Sequence, residues 1–204
     1  LLGMLRTKVG IGSMERIAKK HTELVKLLGL IGIGVSFMAM IASILMILLS
    51  MFIFISKIAA KEPAPLVITP LIPGVCVPGS PIQVPLLEGI IAIFVIAALH
   101  EFCHGVVAIA NGVKIRNTGY VQVGPIAGAF VEPDEKQLNK KDDVVKYSIY
   151  AAGAFSNLVL GLIIFIAIAL LIAPYSDSMQ YTSGYKISEI TKDGPSQQAG
   201  ILPG

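Results

Sequence analysis

His100-Glu101-Phe102-Cys103-His104 places two imidazoles four residues apart, with a carboxylate directly after the first. On a helix, positions four apart share a face, so both rings can be offered to one metal ion. Zinc suits that donor pair, and Glu101 sits close enough to hold and deprotonate a water on it. The chemistry implied is hydrolysis by an activated water. The chain has only three histidines, and two of them fall at this spacing. The bland alternative is a pair of helix histidines beside a chance glutamate. It fits the setting poorly, because the motif lies in a segment apolar enough to span a membrane, where uncompensated His and Glu are costly.

The elements that must position these residues follow from composition. The 204 residues are 54% hydrophobic and 14% charged, with a mean hydropathy of +0.78. That balance excludes an ordinary soluble domain and indicates an integral membrane protein. A helical span needs roughly 20 apolar residues, and three segments supply them. The expected fold is therefore an all-α multi-pass membrane protein with three transmembrane helices, at 27–55, 86–110 and 147–173. The first carries no charge and is too long for a cleaved signal segment. The second carries the zinc motif, and in the third Asn157, accompanied by Ser156, is the polar exception.

Charge sets the expected topology. Six basic residues precede the first span and six lie between the second and third, whereas the other two connections hold two each. Positively charged loops stay in the cytoplasm, so the 1–26 segment and the 111–146 loop are expected there. The 56–85 and 174–204 segments then lie on the outer side. Basic clusters also serve nucleic-acid binding, but beside such spans topology explains them better, and no nucleic-acid partner is expected. His100 is about ten residues from the cytoplasmic end of its helix, which places the metal site roughly 15 Å below that surface.

The loops differ in character. The outer loop contains seven prolines between Pro63 and Pro85, which disfavours helix and central strand. Arg16 to Lys26 mixes charged and apolar residues as an interfacial helix does. Leu1 to Leu5 reads as the tail of an earlier span. Tyr120 to Val123 and Ala127 to Val131 read as two strands around Gly124-Pro125, a membrane-associated β-hairpin that can dip towards the zinc helix. Cys76 and Cys103 fall in the outer loop and the zinc helix, so a bridge between them is not expected. Cys103 lies nearly one turn after His100 and is an alternative metal ligand.

Taken together, the motif inside a span, the glycine-rich hairpin region and the small-residue third span resemble the site-2 protease family, zinc peptidases that cut within the membrane. Gly153-Ala154-Phe155-Ser156-Asn157 is similar to the family's Gly-Pro-x-x-Asn stretch, with Ala154 in place of proline. The run from Asp193 to Gly204 resembles the start of a PDZ-like domain. The resemblance implies zinc as cofactor, His100 and His104 as its ligands and Glu101 as the catalytic base. It implies membrane-spanning protein substrates and the lipid bilayer as partners. Asn157, Gly124 and Gly128 are the candidates for substrate binding or for support of the metal ligands. The family's third zinc ligand, an aspartate in a later span, has no match here and is expected beyond residue 204, so these residues alone are expected to be inactive. Two rivals stand beside this reading: a metal-transport protein, which would need neither Glu101 nor a PDZ-like tail, and a catalytically inactive membrane scaffold.

Overall fold

The computed structural model describes residues 2–61, 72–75, 83–123, 126–172 and 174–175. Most of what it describes belongs to one compact unit, Leu1–Leu160; Gly161–Gly204 forms a second. The expected PDZ-like tail, the turn at Gly124-Pro125 and most of the proline-rich loop lie outside the described residues.

Three helices are long and apolar enough to cross a membrane. Helix α2 (Thr22–Ala59) follows a short helix, α1 (Ile11–Lys20), after a break at His21. Helix α3 (Leu86–Ala110) carries the zinc motif. Helix α5 (Asp143–Ala167) passes into a π-helical turn at Ile168–Ile172. Helix α3 starts after Pro85, where a missing N–H costs nothing. It ends in a Schellman motif: Val113 N donates to Ala108 O and Gly112 N to Ile109 O, both at 2.9 Å. Gly112, at φ 73°, supplies the left-handed residue that this ending requires.

The strands depart from expectation. The sequence predicts one short hairpin; the fold contains a three-stranded antiparallel sheet in the order β1-β2-β3. Its members are β1 (Leu2–Thr7), β2 (Ile115–Val123) and β3 (Ile126–Pro133). Leu1 to Leu5 is thus not the tail of a span, because from Leu2 onward the segment pairs with β2, Leu5 opposite Tyr120 and Thr7 opposite Thr118. Six residues that include Gly3 and Arg6 make a poor membrane segment but a serviceable edge strand, and they satisfy backbone groups that β2 would otherwise leave open. The expected all-α class with a single hairpin is corrected accordingly to a mostly helical fold with a three-stranded sheet.

A four-residue helix, α4 (Glu135–Leu138), follows β3. Asp134 caps it by accepting from Gln137 N at 3.1 Å and also binds Arg116 Nε at 3.0 Å. The Gln137 amide, then the Arg116 guanidinium, hold the Asp134 carboxyl below the usual carboxylate range.

The buried core gathers round the C-terminal half of α3. Val106, Val107, Ala108, Ala110 and Val113 pack with Met14 and Ala18 of α1 and with Ile149 and Ala152 of α5. Helix α2 approaches closely through two glycines: a Cβ at Gly29 would meet Val107 at 3.1 Å, and one at Gly32 would meet Phe155 at 3.3 Å. Elsewhere the spans present exposed leucine, isoleucine and phenylalanine along their length. Surfaces of that kind match lipid tails rather than water. The packed end of α3 is the end on which the metal motif sits, so the site is built where the helices are held most firmly.

Candidate metal centre

Helix periodicity puts His100 and His104 on one face of α3, and the opposing wall is α5. One face of α5 carries Ile149, Gly153 and Asn157, spaced by four residues, and each of the three meets an imidazole. His104 Nδ1 lies 2.6 Å from the Ile149 carbonyl oxygen. A carbonyl only accepts, so Nδ1 carries the proton and Nε2 keeps its lone pair for a metal. His100 Nδ1 lies 3.1 Å from the Asn157 side-chain amide. Asn157 Oδ1 is buried without a hydrogen-bond partner. Turning that amide by half a rotation brings Oδ1 to Nδ1–H and leaves His100 Nε2 unprotonated, the same tautomer as His104.

Gly153 faces the two Nε2 atoms. A Cβ built there would fall between His100 Nε2 and His104 Nε2, well inside the distance at which any carbon can sit. The absent side chain therefore lets both rings lie directly against α5 with their Nε2 atoms on the same side. Glu101 joins the group: ligand atoms of His100, Glu101 and His104 all lie within 4.8 Å of one another. The two rings meet edge to face, with centroids 4.7 Å apart. Two neutral imidazoles, a carboxylate and an open cradle form a donor set that fits zinc.

Glu101 is held from a different direction. Its Oε2 accepts the backbone N–H of Val131 on β3 at 3.1 Å. The hairpin thus does reach the zinc helix, and Phe94 of α3 stacks obliquely on Tyr120 of β2 with ring centroids 6.2 Å apart. Cys103 is a half-buried free thiol and does not join the cluster. Gly128 lies in β3 opposite Val121. Gly124 lies outside the described residues.

Three participants escaped the sequence reading: the Ile149 carbonyl, the Val131 amide and the open space at Gly153. The fourfold spacing of 149, 153 and 157 signals the first and third in advance, as a stripe on one face of α5; the Val131 amide has no such signal.

The family described as peptidase family M50 matches residues 88–198. An uncharacterised protein of Methanocaldococcus jannaschii is 28% identical over 161 residues, covering 78% of this chain and 41% of that protein. A Clostridium perfringens protein, provisionally named a zinc metalloprotease, is 31% identical over 128 residues, 54% of this chain and 35% of its own. The chain therefore spans well under half the length of these relatives. No solved structure gives a significant match.

Proposed function

Because this chain belongs to peptidase family M50, the site-2 protease family, we propose that it forms the zinc-binding part of an intramembrane metalloprotease that hydrolyses peptide bonds of membrane-embedded proteins. The observation that carries the reading is the convergence of two imidazole nitrogens on the open space at Gly153, with a carboxylate beside them, inside a helix apolar enough to span the bilayer.

His100 and His104 would hold the ion, each oriented by a partner on α5. Zinc bound there supplies a Lewis acid for a peptide carbonyl and lowers the pKa of water. Glu101 takes the proton from the attacking water on its carboxylate and returns it to the nitrogen of the departing amine. Substrate helices hide their carbonyls in their own hydrogen bonds, so a stretch must first unwind. The β3 strand is suited to receive it as an added strand, since main-chain pairing recognises any extended peptide. Asn157 serves His100 with one end of its amide. The basic clusters support an orientation with the N-terminus and the 111–146 loop in the cytoplasm.

The test is Glu101→Gln in the membrane-reconstituted full-length protein. It removes the base and keeps both imidazoles, so cleavage of a transmembrane test substrate should cease while zinc content, measured by metal analysis, stays at the wild-type level. Near-normal turnover by a zinc-loaded Glu101→Gln protein would refute the assigned role.

A further inference from the structure

The three residues of the metal centre are not held alike. His100 and His104 are fixed by α5, whereas Glu101 is fixed by a strand. That strand, β3, is at the edge of its sheet: β2 lies on one side, and no described strand lies on the other. Along an antiparallel strand, successive residues direct their N–H groups to opposite sides. Val131 gives its N–H to Glu101 and not to β2, so it faces the open side. Ala129 shares that direction by alternation, and Pro133 has no N–H to give. The last donor on the open edge is therefore occupied by the residue assigned as the base. A cleft of about 620 Å³ runs across the sheet at this end, lined by Met4 and Arg6 of β1 as well as Phe130, Val131 and Pro133 of β3.

We propose that Glu101 plugs the open edge of β3 until an extended substrate segment adds to that edge, takes the Val131 N–H and releases the carboxylate towards the bond to be cut. This deepens the reading that peptide is hydrolysed beside His100 and His104, and it rests on that reading. The exchange is close to balanced: one amide–carboxylate hydrogen bond is lost and one amide–carbonyl hydrogen bond is gained. A charged acceptor binds more strongly than a neutral one, so the plug lowers the apparent affinity for substrate. In return the base swings free only when a peptide lies along the strand. The Val131 amide is thus a positioning group for Glu101.

Substitutions at Glu101 separate reach from charge. Glu101→Asp keeps the charge but is one methylene too short to reach Val131. Glu101→Gln keeps the reach and loses the charge, and Glu101→Ala loses both. The probe is a fluorescent 24-residue leucine–alanine transmembrane peptide with a central Gly-Pro pair, its binding read in the first seconds after mixing with the zinc-loaded protein. The plug predicts that Asp and Ala bind the probe roughly tenfold more tightly than wild type, with Gln in between. Tight binding by Ala and Gln, with Asp like wild type, would mean that the carboxylate acts by its charge alone, and equal affinities throughout would mean that it does not obstruct the edge; either overturns the proposal. A photo-crosslinker at Ala129 reports whether the peptide lies on β3. Absence of crosslinks removes strand addition and the plug together, yet leaves the zinc-site reading to stand or fall on wild-type cleavage.

Discussion

Gly153→Ala is the sharpest perturbation this site offers, because it adds one methyl group at the point where the two ligand nitrogens converge. With the backbone unchanged, the new Cβ would lie 2.5 Å from His100 Cδ2 and closer still to both Nε2 atoms. Ordinary contact begins at 3.4 Å, so the His100 ring must retreat by about 0.9 Å (3.4 − 2.5) or the helices must part. Neither ring moves freely, since His104 is tied to Ile149 and His100 to Asn157. A displacement near 1 Å in a catalytic constellation costs on the order of 100-fold, or about 2.8 kcal/mol. The expected outcome is at least ~100-fold weaker zinc binding, read by chelator competition and metal analysis of the purified protein. Two further substitutions isolate the cause. Gly34→Ala meets nothing within 4 Å and should leave zinc unchanged. Gly32→Ala presses on Phe155 and should lower the unfolding temperature with little effect on metal affinity. Wild-type zinc retention by a folded Gly153→Ala protein would refute the cradle, and the metal would have to bind elsewhere.

Two other outcomes follow from the same geometry. Asn157→Leu removes the partner of His100 Nδ1 and should weaken zinc binding by roughly tenfold, as loss of a ligand's hydrogen-bond partner commonly does, whereas Asn157→Asp keeps an acceptor there and should retain the metal; equal affinity of the Leu and wild-type proteins would show that the amide does not orient His100 for the metal. For orientation, a single cysteine at Lys140 should react with an impermeant thiol reagent only in inside-out vesicles, and one at Lys61 only in right-side-out vesicles. The reverse pattern would overturn the topology drawn from the basic loops.

How much of this could be read from the chain depends on which groups do the work. Helix α3 coincides with the expected span at 86–110, because hydropathy, Pro85 and Asn111-Gly112 all mark the same limits. The other two spans extend a few residues past their predicted ends, where Thr22 to Lys26 and Asp143 to Lys146 are polar enough to be discounted by hydropathy yet continue the helix. The sheet was half legible. Alternation and Gly-Pro reveal the hairpin, but β1 is recruited from more than a hundred residues away by an open strand edge, and nothing local in Leu2–Thr7 announces its partner.

The metal centre divides in the same manner. In the proposed site His100, Glu101 and His104 would act through side chains, and their types and spacing point to a shared chemistry before any fold is known. Their supports act through the backbone or through the lack of a side chain: a carbonyl at Ile149, an N–H at Val131, a missing Cβ at Gly153. Residue type encodes the first two hardly at all, since any residue there would carry the same carbonyl and every residue but proline the same amide. Gly153 is encoded, but as one glycine among 20. It becomes informative only when α5 is laid against α3 and its empty face meets the two imidazoles. The sequence of a metal helix thus announces which atoms bind, while the neighbouring helix, through groups that composition cannot distinguish, decides whether those atoms point to one place.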